Sequence, residues 1–214
     1  MRSYLRNNNS ENLIIFFCGW GMDEIPFSLL KSSSDILFVY DYTTPDFEYD
    51  FSKYKSIKLL AFSYGVYASG IAKLPKVDKS VAINGTLVAV DDDYGVPAKK
   101  FELSEKMNSE TVVKFRQRLF AGEKAKEHFD IFENHLPNRS AQSCTDELLG
   151  MKSYFAKYPV LKRDFDEVYV GILDKVVPTK NQLNFWNKQN HQNIIKIETG
   201  HFPFYNFESF DEIL

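Results

Sequence analysis

The stretch LLAFSYG, residues 59–65, places Ser63 directly after a run of apolar residues and two residues before a glycine. In α/β proteins, a serine at this position can lie on a sharp strand-to-helix turn that exposes its hydroxyl as a nucleophile. Such a turn needs small residues two positions before and two positions after the serine, and the chain has Ala61 and Gly65 there. The pattern alone is weak, because glycine is commoner at both positions and the serine could simply end a buried strand.

Short apolar runs recur along the chain, and each is followed by a polar or glycine-containing turn. Their continuous β-branched and aromatic character is typical of strands buried on both faces of a parallel sheet. Segments of helical length, such as residues 64–74, separate several of them, which predicts a single α/β domain over residues 1–214. The runs are LIIFFCGWG from Leu13, DILFVYDY from Asp35, SIKLLAFSYG from Ser56, KSVAINGT from Lys79, FDEVYVGILD from Phe165 and NIIKIETGH from Asn193.

One segment, at about residues 87–162, interrupts this alternation. It contains no convincing strand, whereas NSETVVKFRQRLFAGE, residues 108–123, places Val112, Phe115 and Leu119 on one face of a helix. We therefore predict a small helical cap inserted between the fourth and fifth of the six strands, where it would cover the top of the sheet. Ordinary crossover helices are the alternative that the periodicity leaves open.

Composition and charge exclude several classes of protein. The formal net charge is −3, which argues against wholesale nucleic-acid binding. The two cysteines, Cys18 and Cys144, are too few for a disulfide framework. The N-terminus lacks the apolar stretch of a secretory signal, and the longest early apolar run, residues 13–18, is too short to span a membrane. We expect a cytoplasmic protein without a membrane segment.

An acid and a histidine follow two later strands at the same predicted edge of the sheet as Ser63. Asp174 follows VYVGIL, and His201 follows NIIKIETG. Reactive groups of doubly wound α/β folds gather beyond the carboxyl ends of the strands, and the chain order Ser, Asp, His is that of α/β hydrolases. An imidazole can remove the serine proton while a carboxylate fixes its tautomer. The arrangement predicts an α/β-hydrolase fold with Ser63 as nucleophile.

A serine hydrolase also needs two preorganised N–H donors for the oxyanion that develops during the reaction. We expect one from the backbone of Tyr64, the residue after the nucleophile. The other is expected in the loop Cys18-Gly19-Trp20-Gly21, where Trp20 offers its N–H and its indole forms a wall of the pocket. A simple strand-ending turn is the alternative for this loop.

Five motifs together resemble the BioG family, the pimeloyl-acyl-carrier-protein methyl ester esterases of biotin synthesis. They are FCGWG at residues 17–21, AFSYG at 61–65, AINGT at 82–86, DDDYGVP at 91–97 and TGH at 199–201, and the likeness runs over nearly the whole chain.

The resemblance implies a small α/β hydrolase with a short helical cap and no cofactor. It implies Ser63 as nucleophile, His201 as general base and Asp174 as the acid that orients it, with Trp20 and Tyr64 as oxyanion donors. The implied reaction is attack on the methyl ester at the far end of a carrier-bound pimeloyl chain, so the implied partner is an acyl carrier protein.

Two residues next to the nucleophile depart from the family pattern. Phe62 and Tyr64 flank Ser63 where tryptophan and methionine would be familiar. Because these side chains are expected to line the acyl channel, the departures bear on the length and shape of the substrate.

A basic region is a candidate for docking the acidic carrier. Residues 99–126 contain eight basic and four acidic side chains, a local charge of +4 in a chain of net charge −3. Complementary charge speeds encounter and fixes orientation more than it adds affinity. Arg116 and Arg118 are the first candidates for carrier contact, with Lys114 beside them. A solvated helical face would have the same composition.

Other functions are also consistent with this sequence. The chain could be a carboxylesterase or thioesterase of different acyl specificity, or a hydrolase-like binding protein without activity.

Asp91-Asp92-Asp93 is predicted to be a solvated turn rather than a metal site, and Cys18 is predicted to be a buried strand end rather than a nucleophile. The remaining histidines, His128, His135 and His191, lie in polar surroundings and are predicted to be exposed.

Overall fold

A seven-stranded sheet organises the chain, which a computed structural model describes over residues 1–159 and 161–214. The strands lie in the order β1-β3-β2-β4-β5-β6-β7. Every neighbouring pair is parallel except β1 and β3, which are antiparallel. The predicted mostly parallel α/β architecture is therefore confirmed. The strands are β1 (Arg2–Arg6), β2 (Asn12–Phe17), β3 (Asp35–Tyr40), β4 (Ser56–Phe62), β5 (Lys79–Ile83), β6 (Glu167–Gly171) and β7 (Ile194–Ile197).

All six predicted strands form, and β1 is the strand that sequence reasoning missed. It lies at the edge of the sheet, and Arg2, Ser3 and Tyr4 are exposed. A strand with no fully buried residue lacks the continuous apolar run from which the other six were predicted.

In the described part of the chain, six α-helices accompany the sheet, and four of them lie between β5 and β6. The helix α1 (Tyr64–Ile71) follows β4, and α6 (Thr179–Lys188) lies between β6 and β7. None of the helices in the described ranges is long and apolar enough to cross a membrane. The four helices between β5 and β6 are α2 (Ala98–Ser104), α3 (Ser109–Gln117), α4 (Ala125–Glu133) and α5 (Ala141–Phe155). They are called the helical segment below; whether the segment acts as a cap stays a prediction.

The helix α3, which the apolar spacing within residues 108–123 predicts, begins with a capping box. The Asn108 side chain accepts hydrogen bonds from the N–H groups of Glu110 and Thr111, and the Thr111 hydroxyl accepts one from the Asn108 N–H. These bonds satisfy donors that the first helical turn leaves free. Val112 is buried and Phe115 is half-buried, as the periodicity predicts, whereas Leu119 is buried but lies beyond the end of α3 at Gln117.

The sheet is buried on both faces, which explains its unbroken apolar strands. Ile15 and Phe17 of β2 point into the core beneath α1, whereas Ile14 and Phe16 point into a second core on the other face. Aromatic rings dominate this second core, and Phe16 packs edge-on against Phe27 with ring centroids 4.7 Å apart. Such edge-to-face pairs stabilise a core beyond the apolar area that they bury.

The turn from β4 into α1 is pressed between two neighbouring strands. The Ser63 N–H donates to the Ile83 carbonyl oxygen of β5 at 2.9 Å. On the other side, a Cβ atom added at Gly65 would lie 2.2 Å from the Phe17 carbonyl oxygen of β2. Ser63 itself has φ 56° and ψ −126°, a conformation that non-glycine residues rarely adopt. Strain of this kind costs about 1–3 kcal/mol and persists only where the surroundings enforce it.

The close approach at Gly65 predicts a large loss of stability on substitution. Gly65→Ala should lower the free energy of unfolding by about 3 kcal/mol, because backbone must move to admit the methyl group. Gly70→Ala, on the same helix, is the matched control, since the three atoms nearest to a Cβ there are side-chain atoms of Leu161 and Leu87 at 3.0 Å rather than backbone. Urea denaturation measures both; equal midpoints for the two variants would contradict the account.

Candidate active site

The structure brings Ser63, His201 and Asp174 into one hydrogen-bonded chain. Ser63 Oγ lies 2.8 Å from His201 Nε2, and His201 Nδ1 lies 2.7 Å from Asp174 Oδ2. All three side chains are buried, and they follow β4, β7 and β6 at the carboxyl edge of the sheet. The distances allow a proton to pass from the hydroxyl to the imidazole while the carboxylate holds the imidazole in place.

The Asp174 carboxylate has three further donors that fix its orientation. Its Oδ1 atom accepts the N–H groups of Val176 and Val177 at 2.8 and 3.1 Å, and its Oδ2 atom accepts Gln182 Nε2 at 2.9 Å. The same Gln182 nitrogen donates to the Val177 carbonyl oxygen at 2.8 Å. The Asp174 carboxylate and the Val177 carbonyl oxygen are both acceptors, so the nitrogen of the Gln182 amide, rather than its oxygen, must face them. Sequence reasoning missed Gln182, because nothing in its helix distinguishes it from a solvated glutamine.

Asn84 holds the loop that bears His201. Its side-chain nitrogen donates to the His201 carbonyl oxygen at 2.8 Å, and its side-chain oxygen accepts the Gly171 N–H at 2.6 Å. One side chain thus joins the end of β6 to the histidine loop. Asn84 of the AINGT motif therefore fixes the backbone of His201. Phe62 packs against the His201 imidazole from another side, with ring centroids 5.0 Å apart.

The residues predicted to supply oxyanion donors lie beside Ser63. Trp20 and Tyr64 line the same cavity as the serine hydroxyl. Within the described ranges, neither backbone N–H donates to a protein acceptor. The Trp20 indole N–H is engaged elsewhere, with the Cys144 carbonyl oxygen at 2.8 Å. The role of Trp20 and Tyr64 as oxyanion donors stays a prediction.

The cavity in front of Ser63 has a volume of about 160 Å³ and mainly apolar walls. Three basic side chains, Lys100, Arg118 and Lys175, lie among its lining residues. Lys100 Nζ donates to the Lys175 carbonyl oxygen at 2.5 Å, which joins α2 to the loop of Asp174. Among the apolar lining residues are Trp20, Met22, Val96, Phe101, Leu103, Met107, Phe115 and Leu148.

The predicted carrier-binding residues separate into different places. Arg118 lines the cavity, whereas Lys114 is exposed on α3 and does not reach it. Arg116 is half-buried and donates to the Arg139 carbonyl oxygen at 3.2 Å, so it takes part in the internal structure. Lys100 and Lys175 were not singled out from the sequence, because exposed lysines beside a pocket have no local pattern.

Neither cysteine is placed to act as a nucleophile. Cys18 and Cys144 are both buried and free of disulfides. Burial raises the pKa of the Cys18 thiol well above its usual value and that of Cys144 to about 11, so both favour the unreactive thiol form.

The aspartates at residues 91–93 form a turn, as predicted. The Asp91 carboxylate accepts the N–H groups of Asp93 and Tyr94, and Asp92 accepts that of Ala98. Across the described part of the chain, no group of three or more His, Cys, Asp and Glu side chains is placed to hold a metal ion.

The predicted exposure of the other histidines is wrong. His128 is buried and faces the Tyr205 ring at a centroid distance of 6.0 Å. Burial lowers the pKa of its imidazole. His135 and His191 are half-buried, and each bonds a carbonyl oxygen, that of Ile131 and that of Phe165, at 2.8 Å. The polar residues next to these histidines in the sequence face solvent, so the sequence does not indicate that the histidines themselves are packed.

Comparison with known proteins shows which family this chain belongs to. A family model described as pimeloyl-ACP methyl esterase BioG matches residues 1–213. The chain belongs to the BioG family.

The relatives of this BioG chain differ in length. A malonyl-[acyl-carrier protein] O-methyltransferase of Bacteroides fragilis is 34% identical over 182 residues, which is 82% of this chain and 36% of that protein. The chain therefore spans about a third of the length of this relative. The crystal structure of BioG from Haemophilus influenzae matches with a TM-score of 0.87 and 26% identity, covering 99% of both chains.

More distant structures share the fold alone. A lipase-esterase related protein from Clostridium acetobutylicum matches with a TM-score of 0.63 and 14% identity, covering 99% of this chain and 97% of that one. The sheet of this BioG chain is that of the α/β hydrolases, which confirms the predicted fold.

Proposed function

We propose that this chain is a serine esterase that removes the methyl group from the methyl ester of pimeloyl-acyl-carrier protein. The hydrogen-bonded chain of Ser63, His201 and Asp174 at the base of an apolar cavity is the observation that carries the proposal. In a BioG-family chain, this geometry supports acyl transfer to the serine followed by hydrolysis.

The first half of the reaction forms an acyl-enzyme. His201 Nε2 takes the Ser63 proton as the hydroxyl oxygen attacks the ester carbonyl, and Asp174 stabilises the imidazolium that results. The backbone N–H groups of Trp20 and Tyr64 bind the negative oxygen of the tetrahedral intermediate. The C–O bond to the methoxy group then breaks, and methanol leaves with the proton from His201.

The second half repeats these steps with water. His201 removes a proton from a water molecule, which attacks the acyl-enzyme carbonyl to form a second tetrahedral intermediate. Its collapse returns the proton to Ser63 Oγ and releases pimeloyl-acyl-carrier protein with a free carboxylate.

The shape and charge of the cavity fit a carrier-bound chain. Apolar walls suit the methylene groups, and Lys100, Arg118 and Lys175 place positive charge where an acidic carrier protein would dock. Leu103, also in the lining, is 65% exposed and offers an apolar contact beside this charge. The Bacteroides fragilis relative is named for a reaction on an acyl-carrier protein, which agrees with such a partner.

The role of Ser63 predicts a large loss of activity in one variant. Ser63→Ala should lower kcat on pimeloyl-carrier methyl ester at least about 10³-fold and abolish labelling by a fluorophosphonate probe. Ser69→Ala is the matched control, because Ser69 is a buried serine on α1 whose hydroxyl bonds only the Val66 carbonyl oxygen. Hydrolysis that survives Ser63→Ala would overturn the assignment of the nucleophile. Rapid turnover of short nitrophenyl esters but not of the carrier substrate would instead indicate an esterase of different acyl specificity.

Carrier docking predicts an effect that depends on the substrate. Arg118→Glu should lower kcat/KM for the carrier substrate about tenfold, and less at high salt, because a glutamate beside the cavity repels an acidic partner. The methyl ester of a short free acid should be affected less than about twofold, because it lacks the acidic carrier protein. Lys73→Glu, an equal charge change at an exposed position after α1, is the control. Equal losses for both substrates would remove the support for docking at Arg118.

A further inference from the structure

A buried carboxylate on α5 holds two loops at the carboxyl edge of the sheet. Glu147 is fully buried. Its Oε2 atom accepts the Gly21 N–H at 3.1 Å, in the loop after β2, and its Oε1 atom accepts the Tyr42 N–H at 3.0 Å, after β3. Both loops are therefore tied to one side chain of the helical segment.

Arg139 completes the surroundings of this carboxylate. Its Nη2 atom lies 3.0 Å from Glu147 Oε2, and its side chain is 4% exposed. The same guanidinium donates through Nη1 to the Met22 carbonyl oxygen at 3.4 Å. Asp41 lies 3.7 Å from it and adds negative charge. The guanidinium thus bonds both the carboxylate and the loop that the carboxylate holds.

The loop after β2 has a second tie to the same helix. The Trp20 indole N–H donates to the Cys144 carbonyl oxygen, one turn before Glu147 on α5. Gly21 has φ 69°, and a Cβ atom there would lie 3.0 Å from Cys144 Sγ. Trp20 is therefore fixed to α5 through its side chain and through the peptide bond that follows it.

We propose that Glu147 is a positioning residue that holds the Trp20 backbone N–H where the oxyanion develops. This inference rests on the proposed function, in which Trp20 supplies one oxyanion donor. Displacement of such a donor weakens transition-state binding, and loss of one donor costs about 10²–10³ in kcat. Glu147 touches no substrate, so it acts through the loop.

The site requires a carboxylate rather than a neutral amide. Two backbone N–H groups and a guanidinium all donate to it, and none of them accepts. A glutamine would turn its own NH₂ group toward one of these donors and lose that bond. Burial raises the pKa of Glu147 to about 7, while Arg139 and the two N–H groups act in the opposite direction. The charge of the carboxylate therefore depends on these donors.

The experiment compares Glu147→Gln with Asp146→Asn, the same chemical change at the adjacent, exposed position of α5. The kcat and KM values for a short methyl ester are measured per active site, with the sites counted by fluorophosphonate titration. Glu147→Gln should lower kcat about 10–100-fold with KM changed less than about threefold. Asp146→Asn should leave both values unchanged.

A transition-state probe separates positioning from a purely structural role. An alkyl trifluoromethyl ketone forms a tetrahedral oxyanion with the active-site serine, so its affinity should fall in parallel with kcat. If Glu147→Gln lowers only the number of titratable sites, and kcat per site and ketone affinity stay unchanged, the inference is overturned.

Glu147→Asp provides a second variant if Glu147→Gln does not fold. It keeps the negative charge beside Arg139, but its carboxylate is one methylene group shorter and cannot reach the Gly21 and Tyr42 N–H groups together. It should lower kcat per site and ketone affinity together, and unchanged values would contradict the inference. Failure of the proposed function is detected separately, by hydrolysis that survives Ser63→Ala or by turnover of short esters but not of the carrier substrate.

Discussion

The site depends on one close contact between backbones, where the turn into α1 lies against the end of β2. Gly65 leaves no room for a side chain beside the Phe17 carbonyl oxygen, and Ser63 N–H is held by the Ile83 carbonyl oxygen of β5. Pressed from both sides, Ser63 keeps a backbone conformation that it would not adopt alone. Its hydroxyl is thereby fixed at the edge of the sheet where the loops that bear Asp174 and His201 also lie.

The helical segment between β5 and β6 does more than border the cavity. Through Glu147 and the Cys144 carbonyl oxygen, α5 is bonded to the loop of Trp20. Two basic side chains at the end of α3 have different surroundings. Arg116 donates to the Arg139 carbonyl oxygen, whereas Arg118 lines the cavity. The part of the chain that would meet a carrier protein is thus connected to the part that would stabilise the oxyanion.

Physical reasons decide which features the sequence could predict. Ser63, Asp174 and His201 were predictable because parallel strands end at a common edge, so residues that follow them converge. Strand β1 was not, because an exposed edge strand needs no apolar run. Glu147 and His128 were not, because charged and polar residues are usually exposed and only the packing of distant elements buries these two.

The most direct test of the account is rapid quenching during turnover of a pimeloyl-carrier methyl ester, followed by mass spectrometry of the peptide that contains Ser63. Nucleophilic catalysis by Ser63 predicts a transient acyl adduct on this residue that forms as methanol is released and decays as the free carboxylate appears. Steady turnover with no adduct at any quench time, under conditions where acylation is faster than deacylation, would contradict it.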